Sequence, residues 1–254
     1  MFPIQDGVAT RYPPLITWML IFLNGMIFMF QASLSPPVLE RFLAVFALIP
    51  ARYFGHLAGV APPHTLFDYL PFFSNMFLHG SWIHLILNMW TLWIFAPAVE
   101  DRLGSMRFLC FYLLCGIAAS LAHAVLNAHS VVPALGASGA IAGVIGCYVR
   151  LFPLARLVMV IPVFIFPVFV EVYAIFFAFF WFMTQIIPGV FSLLLPPTTG
   201  GIAWWAHIGG FLAGWILTPL IKRSERTYRR FYADEGRYGF FPNGYRSSGG
   251  SPWV

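Results

Sequence analysis

Six long apolar runs occupy most of this chain and constrain what it can fold into. At about 1.5 Å per helical residue, runs of this length can cross the roughly 30 Å hydrocarbon core of a bilayer. Charged residues make up only 9% of the 254, too few to cover the surface of a soluble domain of this size. The runs lie at about 15–34, 80–99, 107–126, 135–151, 168–187 and 202–221. The sequence therefore predicts an all-α, polytopic membrane protein with six transmembrane helices and a long first outer loop.

The basic residues indicate how these helices are oriented. If the N-terminus is cytosolic, 12 of the 14 Lys and Arg residues fall on the cytosolic side, and only Arg41 and Arg52 fall outside. This bias follows the positive-inside rule and predicts that both termini are cytosolic. We expect three parts: a cytosolic N-terminus at 1–14, a membrane domain at 15–221 and a basic, partly disordered tail at 222–254. No organellar targeting segment is recognisable, which favours a bacterial plasma membrane.

A serine and a histidine stand out within the apolar runs, because an unpaired polar group in hydrocarbon costs several kcal/mol. Ser138 lies 12 residues before Arg150, and His207 lies 15 residues before Lys222. Both therefore lie about 18–22 Å from the cytosolic ends of their helices, in one layer of the membrane. A hydroxyl and an imidazole at the same depth are typical of a nucleophile and its general base.

His84 and Asn88 add two hydrogen-bond donors to this layer. They are four residues apart and share one face of the second predicted helix, at about 24 and 18 Å from Glu100. Donors aimed at a developing oxyanion accelerate acyl transfer by roughly 10²–10³. Buried polar residues that only bridge helices would give the same pattern, but the match in depth to Ser138 favours oxyanion stabilisation.

Small residues would let these helices meet. Gly136 precedes Ser138, so the sequence predicts that regular helix begins near the serine and that its positive end lies below the outer surface. Two glycine stripes allow close approach of the backbones, either for ordinary packing or to bring the serine and the histidine together. The stripes are Gly139, Gly143 and Gly146 on the fourth helix, and Gly210 and Gly214 on the sixth.

In combination, these residues resemble the rhomboid intramembrane serine proteases, over roughly residues 65–221. The matching segments are His79-Gly80-Ser81-Trp82-Ile83-His84, Asn88, Val99-Glu100-Asp101-Arg102-Leu103-Gly104-Ser105, Gly136-Ala137-Ser138-Gly139, and Ala206-His207 followed by Gly210 and Gly214. The resemblance implies a six-helix rhomboid fold with Ser138 as nucleophile and His207 as general base. It assigns the oxyanion site to His84, Asn88 and the Ser138 backbone N–H. His79 would support the first outer loop.

The function that the resemblance implies is hydrolysis of peptide bonds in or near the membrane helix of a protein substrate, through an acyl-enzyme. The expected partners are transmembrane protein substrates and membrane lipids. The sequence suggests no nucleic acid, organic cofactor or metal site, and it leaves the oligomeric state open. Ala142 stands where some relatives carry a tyrosine that packs on the catalytic histidine, so another side chain must orient His207.

Two other functions compete with this hypothesis. A rhomboid-fold chaperone or trafficking factor would keep the fold without the chemistry, and the intact Ser138 and His207 argue against it. A transporter would need charged groups along a pathway. Glu171, which we expect near an arginine at the start of the fifth helix, is thin support for that function.

Overall fold

The computed structural model describes residues 2–54, 65–163, 166–194 and 202–222, which are mostly helical. The α-helices are α1 (Leu15–Ser33), α2 (Pro36–Phe46), α3 (Pro71–Ser74), α4 (Trp82–Leu103), α5 (Ser105–Leu126), α6 (Ser138–Leu151), α7 (Ala174–Ser192) and α8 (Trp204–Ile221). The strands are β1 (Phe2–Asp6), β2 (Arg156–Val163) and β3 (Phe166–Tyr173), and short 3-10 turns lie at Pro50–Arg52, Leu66–Tyr69 and Asn75–Phe77. The tail predicted over 222–254 lies outside the described residues except for Lys222, and it stays a prediction.

Five of these helices, α1, α4, α5, α7 and α8, are long and apolar enough to cross a membrane. A further apolar helix, α6, has only 14 residues because it begins at Ser138. The expectation that regular helix begins near the serine is therefore confirmed. The chain is a multi-pass, mostly helical membrane protein.

A three-stranded antiparallel sheet, in the order β1-β2-β3, departs from the all-α prediction. β2 pairs with β3 in a register that sets Arg156 opposite Tyr173, and β1 pairs with the other edge of β2. Hydropathy alone does not distinguish an apolar strand from a helix, and this segment is rich in Val, Ile and Phe, which favour strands. The fifth span predicted at 168–187 is therefore wrong at its start, since the helix begins only at Ala174.

Glu171 lies on β3 and not on a helix. Its carboxylate forms an ion pair with Arg156 of β2 at 2.9 Å, and both side chains are exposed. The predicted proximity to an arginine is confirmed, but the predicted position on the fifth helix is wrong. An exposed ion pair of this kind contributes little to stability.

α6 lies inside the helical bundle. Every residue from Gly139 to Val149 is buried, and the helix packs against α4, α5 and α8. It is therefore surrounded by protein and not by lipid. This is the setting in which a helix too short for the bilayer is tolerated, because neighbouring protein or a water-filled cavity satisfies its terminal backbone groups.

One buried carboxylate joins the ends of three helices. The segment before α1 is Tyr12-Pro13-Pro14. The N-cap residue is Pro14, and its side chain makes no capping hydrogen bond to the helix. Glu100 of α4 does so instead: Oε1 accepts the Ile16 N–H at 3.0 Å, and Oε2 accepts the Thr17 N–H at 2.9 Å and its hydroxyl at 2.8 Å. Oε1 also accepts the Ser105 hydroxyl of α5 at 2.7 Å. Because a negative charge also complements the helix dipole, this carboxylate holds α1, α4 and α5 together.

Replacing Glu100 by Gln keeps the shape of the side chain but exchanges one acceptor oxygen for an NH₂ group. Donors that faced that oxygen then lose their acceptor, so we expect the free energy of unfolding to fall by about 1–3 kcal/mol. Thermal unfolding in detergent micelles, followed by circular dichroism, measures the change. Glu40→Gln, at an exposed position of α2, is the matched control. Equal stability of the two variants would contradict the role given to Glu100.

Asp6, at the end of β1, links the sheet to α6. The Tyr148 hydroxyl donates to Asp6 Oδ2 at 3.2 Å. Burial raises the pKa of the Asp6 carboxyl from its ordinary 3.8 to about 7, and the hydrogen bond from Tyr148 opposes this only in part. The folded chain therefore keeps a proton that the unfolded chain releases between about pH 4 and pH 7. Through that range, this group makes the stability fall as the pH rises.

The variant Asp6→Asn removes this titration. We expect the drop in thermal midpoint between pH 5 and pH 8 to be smaller in Asp6→Asn than in the wild type, because only the wild type must bury a charged carboxylate at the higher pH. The exposed Glu40→Gln should keep the wild-type drop. The same drop in all three proteins would show that another group is responsible.

Candidate active site

Ser138 is the first residue of α6, and backbone contacts fix the segment that precedes it. Ala134 and Leu48 exchange two hydrogen bonds, at 2.7 and 3.0 Å. The Gly136 N–H donates to the carbonyl oxygen of Asn75 at 2.9 Å, and the Gly136 φ of +128° lies in a region that favours glycine. These contacts position the start of α6 and with it the serine.

Glycine brings α6 and α8 into backbone contact. A β-carbon added at Gly210 would lie 1.9 Å from the carbonyl oxygen of Gly139, and one added at Gly214 would lie 2.0 Å from that of Gly143. Gly139 also faces α5, where its added β-carbon would lie 2.6 Å from Cβ of Ala119. Any side chain at these positions would push the helices apart. The two stripes predicted from the sequence therefore lie directly against each other.

Ser138 and His207 meet across this contact. Oγ of Ser138 lies 2.8 Å from Nε2 of His207, and both side chains are partly buried. Transfer of a proton from a nucleophile to its base needs a separation of about 2.6–3.2 Å. The structure thus brings together the hydroxyl and the imidazole that the sequence placed at one depth.

The other ring nitrogen of His207 faces α7. Nδ1 lies 2.7 Å from Oε1 of Gln185, whose side chain is buried. Trp181, one turn earlier on α7, and Trp204 of α8 flank the imidazole, with ring centroids 6.2 and 6.4 Å away. Ala142 also lines the cavity around the imidazole, but it offers only a methyl group. Glutamine and tryptophan side chains therefore surround the histidine where some relatives use a tyrosine.

His84 and Asn88 of α4 lie beside the backbone of Gly136. A β-carbon at Gly136 would lie 2.8 Å from the His84 ring and 3.7 Å from Nδ2 of Asn88. Nδ2 of Asn88 is buried and makes no hydrogen bond within the described residues. An oxygen atom bound next to Ser138 could accept a hydrogen bond from this amide.

One cavity connects these groups. It has a volume of about 880 Å³ and is lined by residues of α4, α5, α6, α7 and α8. The residues predicted from the sequence to carry the chemistry all line it: Ser138, His207, His84 and Asn88. The cavity is large enough to hold water, and the polar side chains in its wall can form hydrogen bonds with it.

His79 lies behind the cavity wall. The backbone N–H of His79 donates to Gln31 Oε1 at 3.1 Å, and Gln31 Nε2 donates to the His79 backbone carbonyl oxygen at 3.2 Å. The His79 and His84 rings are in contact, with centroids 5.2 Å apart. Burial, and then the neighbouring His84, lowers the pKa of His79 to about 3, so the ring is neutral near pH 7. These contacts tie α1 to the start of α4, next to the site.

Two residues of the site, Gln185 and Trp181, were not predicted from the sequence. Gln185 lies 11 residues after Ala174, the start of α7, and so about 16 Å along the helix. This is close to the depth calculated for Ser138. The sequence signal that could have identified Gln185 was a polar residue at this depth in an apolar run. It was missed because the fifth span was predicted to start at 168, which gave Gln185 a different depth.

The chain matches the family model described as the Rhomboid domain over residues 67–224. This match covers more than half of the chain, and the chain therefore belongs to the rhomboid family.

Three relatives illustrate the similarity. Rhomboid protein 1, mitochondrial, of Saccharomyces cerevisiae is 30% identical over 161 residues, which are 60% of this chain and 43% of the relative. Presenilin-associated rhomboid-like protein A, mitochondrial, of Danio rerio is 31% identical over 130 residues, 50% of this chain and 31% of the relative. Rhomboid-like protease 5 of Toxoplasma gondii is 42% identical over 79 residues, 30% of this chain and 9% of the relative. The matches thus span less than half of the length of these relatives.

These relatives correct the expected location. Two of them are mitochondrial by name, which contradicts the expectation of a bacterial plasma membrane. That expectation rested on finding no organellar targeting segment. Because the similarity covers only part of each relative, such an absence is uninformative.

The variant Gly214→Ala tests whether the backbone contact holds the site together. The added methyl group would lie 2.0 Å from the Gly143 carbonyl oxygen, so α6 and α8 must separate. We expect the free energy of unfolding to fall by about 1–3 kcal/mol. Gly25→Ala on α1 is the matched control, since nothing lies within 4 Å of its added methyl group. Equal thermal midpoints in micelles for the two variants would contradict the role of this contact.

Proposed function

We propose that this chain is an intramembrane serine endopeptidase that cleaves the membrane segments of protein substrates. The observation that carries the proposal is the 2.8 Å hydrogen bond between Ser138 Oγ and His207 Nε2, in a cavity within a bundle of membrane helices. Membership of the rhomboid family and the similarity to a relative named as a protease support the same conclusion.

In the proposed architecture, α6 is a sixth, shortened transmembrane helix. Its 14 residues span about 21 Å, less than the roughly 30 Å hydrocarbon core. Its N-terminus at Ser138 would then lie below one surface of the bilayer, open to the cavity. The residues between α1 and α4 would form the long first loop on that side. This arrangement supplies the water that hydrolysis needs at membrane depth.

In the proposed reaction, Ser138 Oγ attacks the carbonyl carbon of the scissile peptide bond while its proton passes to His207 Nε2. The tetrahedral intermediate collapses as the C–N bond breaks, and the imidazolium gives the proton to the leaving amine. Water then attacks the acyl ester, with Nε2 accepting its proton. The second tetrahedral intermediate collapses as the ester C–O bond breaks, the carboxyl product leaves, and the imidazolium returns its proton to Ser138 Oγ.

The oxyanion of the intermediate would be stabilised by donors around Ser138. Nδ2 of Asn88, which makes no hydrogen bond within the described residues, and the ring of His84 lie beside the backbone of Gly136 and line the same cavity as the serine. The first N–H groups of α6 have no partner within that helix, and its dipole is positive at this end. Removing one such donor typically lowers the rate by about 10²–10³.

The resemblance to rhomboid proteases suggests which substrates fit. A peptide bond becomes accessible to Ser138 only where a membrane helix unwinds and exposes its carbonyl group. Membrane proteins with a small residue before the cut and helix-weakening residues nearby are therefore the proposed substrates, and membrane lipids are the surrounding partners.

The rival functions receive less support. A chaperone or trafficking factor of this fold would not need a hydroxyl and an imidazole at hydrogen-bond distance in a polar cavity. A transport pathway through Glu171 is disfavoured, because this carboxylate is paired with Arg156 at the exposed surface of the sheet.

Cleavage of a model transmembrane substrate by the purified protein in proteoliposomes tests the proposal. We expect Ser138→Ala and His207→Ala each to lower kcat by at least about 10³-fold, because each removes a partner of the proton transfer. Gel electrophoresis and mass spectrometry of the products measure cleavage and its position.

Ser33→Ala, at an exposed position at the end of α1, is the control for serine replacement and should keep wild-type activity. Cleavage by Ser138→Ala at the wild-type rate would refute the proposed nucleophile. Loss of wild-type cleavage on addition of a metal chelator would refute the proposed mechanism.

A further inference from the structure

We propose that Gln185 is the positioning residue of this site and fixes both the orientation and the tautomer of His207. The inference rests on the proposed function, since it concerns the base of the same reaction. It explains how His207 is held although Ala142 has no ring to pack against it.

The environment of Gln185 indicates a specific role. It lies on α7, a strongly apolar helix, yet its side chain is 95% buried and faces the protein. A buried amide in a membrane helix is costly unless its hydrogen bonds are made. The Gln185 Oε1 atom contacts His207 Nδ1 at 2.7 Å, the shorter of the two hydrogen-bond distances of the imidazole.

The other end of the amide determines which way it points. Nε2 of Gln185 donates to the Trp181 carbonyl oxygen at 3.1 Å and to the Thr184 Oγ1 at 2.8 Å. Thr184 in turn donates its hydroxyl hydrogen to the same carbonyl oxygen at 2.6 Å. The reverse amide orientation would set Oε1 against that carbonyl oxygen, acceptor against acceptor. Oε1 must therefore face the histidine.

The tautomer of the imidazole follows from this orientation. Because Oε1 is only an acceptor, Nδ1 of His207 carries the proton and donates it to Gln185. Nε2 then holds a lone pair directed at Ser138 Oγ, which is the form that a general base needs. A carboxylate would fix the same tautomer, but the neutral amide does so without burying a charge.

Ring contacts alone leave this orientation open. The centroids of Trp181 and Trp204 lie 6.2 and 6.4 Å from that of His207, the first tilted by 36° and the second by 89°. They limit tilting of the imidazole but do not distinguish its two nitrogens. The hydrogen bond to Gln185 makes that distinction.

Steady-state cleavage by two variants of Gln185 tests the proposal. Gln185→Leu removes the acceptor at similar volume, and we expect kcat to fall by about 10²-fold with KM within about 2-fold, because a misplaced base affects the chemical step. Gln185→Glu keeps an acceptor oxygen whether or not it is ionised, and we expect it to restore kcat to within about 5-fold of the wild type. Ile187→Ala, on the exposed side of the same helix, is the matched control and should leave both constants unchanged.

The outcomes separate this inference from the proposed function. No cleavage by the wild type, or full cleavage by Ser138→Ala, would overturn the protease itself. Wild-type cleavage that depends on Ser138, together with a kcat of Gln185→Leu within about 2-fold of the wild type, would overturn only the positioning role. An equal loss in Gln185→Leu and Gln185→Glu would also overturn it, since the acceptor would then not matter.

A spectroscopic readout tests the tautomer without any Gln185 variant. ¹⁵N NMR of histidine-labelled wild-type protein, with the His207 signals assigned by their loss in His207→Ala, distinguishes a protonated Nδ1 from a protonated Nε2. We expect the proton on Nδ1. A proton on Nε2 in the wild type would overturn the proposal.

Discussion

Direct contact between the backbones of α6 and α8 is the constraint on which the site depends. Side chains at the contact would hold the axes of two membrane helices about 8–10 Å apart. At that separation a short serine side chain would not reach an imidazole on the neighbouring helix. Because Gly210 and Gly214 of α8 have no side chains, the backbone of α8 lies directly against that of α6 at Gly139 and Gly143. The hydrogen bond at the proposed dyad is a consequence of this approach, since backbone proximity sets the distance that the two side chains must span.

The site also depends on polar groups that are buried at membrane depth. Nδ2 of Asn88 makes no hydrogen bond within the described residues, although it is buried beside the cavity. The amide of Gln185 is buried as well, but every one of its polar atoms has a partner. The contrast fits their proposed roles: one donor remains available for a reacting oxygen, while the other amide is fully engaged in orienting the base.

The sequence predicted the parts of the site that depend on polar residues in apolar runs. Ser138, His207, His84 and Asn88 were found because a polar residue at membrane depth is costly, and their depths follow from helical rise alone. The start of α6 was predicted from the glycine before the serine. These predictions needed only local sequence patterns and the regular rise of an α-helix.

Features that depend on tertiary pairing were not predicted. Most of β3 was assigned to the fifth membrane span, because hydropathy carries no information on which segment a strand will pair with. The early start assigned to the fifth helix then obscured Gln185. The cap that Glu100 provides for α1 joins residues more than 80 positions apart, so no local signal marks it. The predicted location of the protein rested only on finding no organellar targeting segment, and that finding carried no physical information.

Covalent labelling of the serine tests directly whether His207 activates Ser138. A fluorophosphonate reacts with a serine hydroxyl only when a neighbouring base activates it, and the adduct is located by mass spectrometry of peptides from the labelled membrane protein. We expect one serine adduct, on Ser138, and its loss in His207→Ala. An adduct on Ser138 that forms equally fast without the imidazole, or labelling of other serines in its place, would contradict it.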